Sequence, residues 1–115
     1  MEISLSKIEK YELLVATLNM LLVPLKEPNI FYLDSIKNNL EELEGDYYTF
    51  LSQDFIEELY QSNIVSENGV HLIEKIRSEI EKISQKKWTV EAFLKDEKWL
   101  NVRHYVIKVF SSELN

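Results

Sequence analysis

Only two glycines and two prolines interrupt this polypeptide of 115 residues. A β-sandwich or barrel needs tight turns at short intervals, and those turns draw on glycine and proline. Gly45, Gly69, Pro24 and Pro28 cannot supply them. Long uninterrupted segments favour helices, and hydrophobic residues at 45% are enough to bury a core. The fold expected is all-α, an irregular bundle of five or six helices in a single domain over 1–115, a length close to the commonest domain size.

Apolar spacing places the helices. Leu5, Ile8, Tyr11, Val15, Leu18 and Leu22 recur at helical intervals. With Leu14 and Leu21 widening the stripe, they predict a central first helix from Ser4 or Ser6 to Val23, ended by Pro24 and Pro28. Ile30 to Leu33 reads as a short apolar link tucked into the core. Asp34 or Ser35 can cap a second helix through Ile36, Leu40 and Leu43, stopping at Gly45, with 46–51 a candidate loop that its β-branched and aromatic residues leave open to a short strand. Ser52 starts a third helix, ending near Asn63. Ser66 starts a fourth, in which Ile73, Ile76, Ile80 and Ile83 form a seam at intervals of 3, 4 and 3. Thr89 caps a short segment with Val90, Phe93 and Leu94, and Asp96 can cap a last helix carrying Trp99, Val102, Val106 and Val109. Whether 89–114 is one bent helix or two is left open by the spacing. Trp88 and Trp99 read as core or core-edge residues.

Charge is segregated along the chain. Between Lys37 and Lys75 there is no lysine or arginine, and there are nine acids. They are Glu41, Glu42, Glu44 and Asp46, then Asp54, Glu57 and Glu58, then Glu67 and Glu74. This segment carries −9 and the rest sums to +2, so it accounts for the whole net charge of −7. Five of the 13 aromatics, including the adjacent Tyr47 and Tyr48, lie in it. The bland reading is a pair of solvated helix faces. Against that, acids at i,i+3 and i,i+4 without lysines repel one another and cost helix stability. Such a field steers a basic partner, and exposed tyrosines provide rigid contact area.

Several chemistries find little support. Without cysteine there is no disulfide, thiolate metal site or cysteine nucleophile. Glu67, His71 and Glu74 share a helical face at i, i+4 and i+7, a spacing able to offer three ligands to a metal. Exposed polar residues near a helix start are the ordinary reading, and no metal or other cofactor is assigned. His104, beside Arg103 at the edge of an apolar stripe, reads as a packing residue rather than a base. No glycine-rich phosphate loop exists, so no enzymatic activity is assigned. The acidic balance disfavours nucleic acid and anionic membranes as direct partners. The apolar run Leu13 to Leu25 contains Thr17, Asn19 and Pro24 and is short for a span. It also lacks the flanks of a signal peptide, so a cytoplasmic protein is expected.

A small acidic helical chain with carboxylates around a Tyr47-Tyr48 pair resembles bacterial toxin-immunity proteins, of the colicin and contact-dependent growth inhibition kind. Thr49 follows the pair where the colicin group has proline. The resemblance implies a toxin-binding face made of Glu41, Glu42, Glu44, Asp46, Tyr47, Tyr48, Asp54, Glu57 and Glu58. It implies a partner that is a basic protein toxin with a nuclease domain, neutralised by occlusion, and an inhibitor monomeric when free. The alternative is a helical adaptor or oligomerisation module that binds another helical protein through the Ile73–Ile83 seam.

Overall fold

The structure is a computed structural model and describes residues 6–22 and 32–113. Among them are α1 (Lys7–Met20), α2 (Tyr32–Phe50), α3 (Gln53–Gln61), α4 (Glu67–Glu81), a 3-10 turn (Gln85–Lys87), α5 (Val90–Lys95) and α6 (Glu97–Ser112). No strand occurs among the described residues, and the chain is an all-α bundle. The most extensive pairing is α4 against α6, and α1 against α2 comes next. Residues from every α-helix contribute to a contiguous core.

Side-chain caps begin every α-helix but α2 where the sequence places them. Ser6 and Glu9 form a reciprocal capping box on α1, at 3.1 and 3.3 Å. The side chains of Ser52, Ser66, Thr89 and Asp96 each accept from a first-turn amide of the helix that follows. Asp96 also answers the open question about 89–114. Its backbone is extended, with φ −69° and ψ 135°, so α5 and α6 are two helices joined at one residue. Its carboxylate accepts from the Lys98 amide at 2.9 Å and pairs with Lys87 at 3.0 Å.

The end of α3 is a Schellman turn. Asn63 adopts φ +60°, the Ile64 amide donates to the Leu59 carbonyl at 2.9 Å, and the Asn63 amide donates to Tyr60 at 3.0 Å. Asparagine tolerates this left-handed backbone better than most non-glycine residues do.

α2 does not stop at Gly45. It continues for five residues and absorbs the segment expected as a loop, placing Tyr47 and Tyr48 on a helix. The cause is tertiary. Ile36, Leu40, Leu43, Tyr47 and Leu51 are all buried, at intervals of 4, 3, 4 and 4, so one apolar stripe crosses the glycine. Burying Tyr47 and Leu51 outweighs a glycine penalty of about 1 kcal/mol. Arg77 of α4 closes the helix by donating to the Leu51 carbonyl at 3.0 Å, with its cation at the negative end of the dipole.

Other expectations are corrected as well. α1 is peripheral rather than central. Its buried face is Leu14, Thr17, Leu18 and Leu21, whereas Ile8 is 71% exposed. Thr17 can be buried because its hydroxyl donates to the Leu13 carbonyl at 2.8 Å. Asp34 and Ser35 lie inside the first turns of α2 rather than capping it, and Leu33 is exposed. Ile30 and Phe31 of the expected link, and Pro24 and Pro28, lie outside the described residues. The seam Ile73, Ile76, Ile80 and Ile83 is buried within the chain, so it offers no apolar surface to a second protein. No helix among the described residues is long and apolar enough to cross a membrane.

Candidate functional site

The acids and tyrosines fall into three groups in space. On α2, Lys37, Glu41, Glu44 and Tyr48 follow at i, i+4, i+7 and i+11, so they share one flank of the helix. Glu42 and Asp46 are an i,i+4 pair turned towards the opposite flank. Asp54, Glu57 and Glu58 share the outer face of α3. The nine expected site residues therefore form no single patch centred on a tyrosine loop.

Two of the α3 acids have partners within the chain. Lys10 of α1 reaches Glu58 at 2.9 Å, so a base remote in sequence compensates the α3 acids in space. Glu57 accepts from Gln61 one turn on, at 2.9 Å. An exposed ion pair of this kind contributes up to about 1 kcal/mol.

The α2 flank borders something that the sequence segment alone does not contain. Beyond α4 the chain turns through Gln85–Lys87 and brings Trp88 against α2. A cleft of about 330 Å³ opens there, lined by Glu44, Tyr47 and Tyr48 from α2 and by Ile80, Glu81, Ile83, Gln85 and Trp88 from the facing side. It adjoins a second hollow of about 180 Å³, reached past Lys37, Leu40 and Glu41, and the two share Glu44, Gln85 and Trp88. The Gln85 amide bridges the groove by donating to the Glu44 carboxylate at 3.2 Å.

The tyrosine pair is split by burial: Tyr47 is 6% exposed and Tyr48 67%. Their ring centroids are 4.5 Å apart, and Tyr47 lies 5.9 Å from Trp88. Trp88 in turn meets the fully buried Trp99 edge-on at 5.2 Å, and Trp99 meets Phe93 at 5.1 Å. The Arg103 guanidinium ends the series, 4.6 Å over the Phe93 ring. The Trp99 indole N–H donates to the Lys87 carbonyl at 2.8 Å, which ties the turn bearing Trp88 to α6. Burial pushes the Tyr47 hydroxyl above its ordinary pKa of 10.0, helped by Tyr48 and then by the charges of Glu81 and Glu44.

The histidine-centred constellations do not assemble. His71 lies between Glu67 and Glu74, with Nε2 3.9 Å from one and Nδ1 3.9 Å from the other. Its ring separates the carboxylates instead of converging with them on one point. Among the described residues no group of three such side chains is placed to hold a metal ion. His104 is exposed, whereas its neighbour Arg103 is buried.

Ile80, Glu81, Ile83, Gln85 and Trp88 are the groove residues that lie outside the acidic segment 37–75. The legible signal is Trp88 itself, a large aromatic at a core edge. No protein-family model matches the chain, and no curated protein or solved structure matches it either.

Proposed function

We propose that this protein is an acidic inhibitor that binds a basic protein, a toxin of the nuclease kind, and neutralises it by stoichiometric occlusion. The observation that carries the reading is the α2 flank, where Glu41, Glu44 and the outward Tyr48 stand beside a groove backed by Trp88. Nuclease domains are basic because they bind phosphate, so a carboxylate-rich face competes for the same surface. Carboxylates at the rim accelerate encounter, and a tyrosine buried on contact supplies affinity. The acids of α3 extend the field without forming part of the groove. Neutralisation by occlusion needs no turnover and no cofactor.

Affinity capture from the native host's lysate tests the proposal, with washes at low and then high salt. The expected result is one basic protein, recovered stoichiometrically, released as salt rises, and lost with Glu41→Lys or Tyr48→Ala. Its toxicity on expression should be suppressed by co-expression of the wild-type chain. Retention that ignores salt and both substitutions, or an acidic partner, overturns the reading.

A further inference from the structure

The groove beside α2 has a composition that selects one side-chain chemistry. Its walls include three aromatic residues in a contiguous series, Tyr48, Tyr47 and Trp88. Two carboxylates, Glu44 and Glu81, line the same cleft, and among the described residues no lysine or arginine does. Lys37 is the one cation that lines the adjoining hollow among the described residues, where Glu41 accompanies it. Among the described residues neither Glu44 nor Glu81 forms an ion pair; Glu44 accepts only from the neutral Gln85. The two negative charges are therefore unneutralised beside aromatic surface that is partly out of water.

A flat cation satisfies both features together. A guanidinium stacks on aromatic faces through its plane and donates to carboxylates from its edge, and it is more weakly hydrated than an ammonium. A lysine ammonium gains the charge interaction but not the planar stacking, and a neutral apolar side chain leaves the carboxylates facing nothing. We propose that the Glu44–Tyr48–Glu81–Trp88 groove is a receptor for an arginine side chain, presented by the basic protein that the inhibitor occludes. This rests on the reading above and adds to it the anchoring residue type and the wall contributed from outside the acidic segment. Glu81, Gln85 and Trp88 become binding residues, and α3 does not.

The test uses the full chain and a triarginine peptide, with trilysine and tricitrulline peptides as controls, followed by NMR at physiological salt. Triarginine is expected to shift the Trp88 indole and the amides of Tyr48, Glu81 and Gln85 saturably. It should bind more tightly than trilysine, and tricitrulline should not bind. Tyr48→Ala, at an exposed position, and Glu81→Gln should each weaken triarginine by about 3- to 30-fold. Asp54→Asn on α3 should leave it unchanged. Shifts spread equally over α3, equal affinity for the arginine and lysine peptides, or indifference to both groove variants overturns the proposal. The two readings fail separately. A captured and neutralised basic protein whose binding is lost with salt and Glu41→Lys but ignores Tyr48→Ala and Glu81→Gln removes the arginine receptor alone. Groove-confined triarginine binding without any basic protein captured removes the toxin inhibitor and leaves the receptor.

Discussion

Replacing Gly45 by alanine discriminates between a continuous α2 and a helix that stops at the glycine. In the structure Gly45 lies inside the helix, exposed, and a Cβ built there meets nothing within 4 Å. The substitution thus adds no clash and removes no contact. Alanine restricts the unfolded chain and favours helix, a gain of about 0.8–1 kcal/mol at an interior position. A chain of this length unfolds with an entropy of about 240 cal/mol/K, so the melting temperature should rise by about 3–4 °C. If instead Gly45 were a left-handed cap ending the helix, alanine would cost about 1 kcal/mol and the shift would be downward. Thermal unfolding followed by circular dichroism at 222 nm separates the two, because the sign differs. A fall in melting temperature, or a change of less than about 1 °C, would refute a helix carried through residue 45 by its buried stripe.

Asn63→Ala should cost about 1 kcal/mol in urea unfolding, because alanine lacks asparagine's tolerance of φ +60°, while Asn63→Gly should match or exceed the wild type. Trp99→Phe loses the indole bond to the Lys87 carbonyl and part of two aromatic contacts, for about 2–3 kcal/mol together. That lowers the urea midpoint by about 1–2 M, and an unchanged midpoint would show that the turn is not held through Trp99. The raised pKa of Tyr47 predicts an alkaline loss of stability. The unfolded chain releases this proton near 10.0 while the folded chain retains it, so the contribution is intact below that pH and declines above it. Tyr47→Phe should flatten the decline of stability above pH 10.0, and parallel wild-type and variant curves would contradict the burial of that hydroxyl.

The starts of α3 to α6 were legible because a cap is local chemistry. Ser52, Ser66, Thr89 and Asp96 stand within three residues of the amides they accept from, so the relevant information is contiguous in the chain. Gly45 misled for the opposite reason. Its neighbours carry a local stop signal, and what overrides it is burial of Tyr47 and Leu51 against other elements. The same rule divides the candidate site. Tyr48, Glu41 and Glu44 were visible as an acidic, aromatic stretch, yet which acids share a flank depended on the segment being helical. Gln85 lies 41 residues from the carboxylate it bonds, and no spacing rule brings it or Trp88 to α2. Lys10, opposite Glu58, escaped notice in the same way.

The end of α6 returns to the start of α4. Glu113, just past α6, accepts from the Ser66 amide at 2.6 Å, and a Cβ at residue 69 would stand on its carboxylate, so Gly69 leaves it room. Two neighbouring amides in this turn are thus protected by different events. That of Gly69 donates to the Ser66 hydroxyl, a bond formed within α4 itself. That of Ser66 is shielded only while α6 is docked. Hydrogen exchange at Ser66, set against exchange at Gly69, therefore clocks the opening of the α4–α6 pair and distinguishes it from fraying of the helix end.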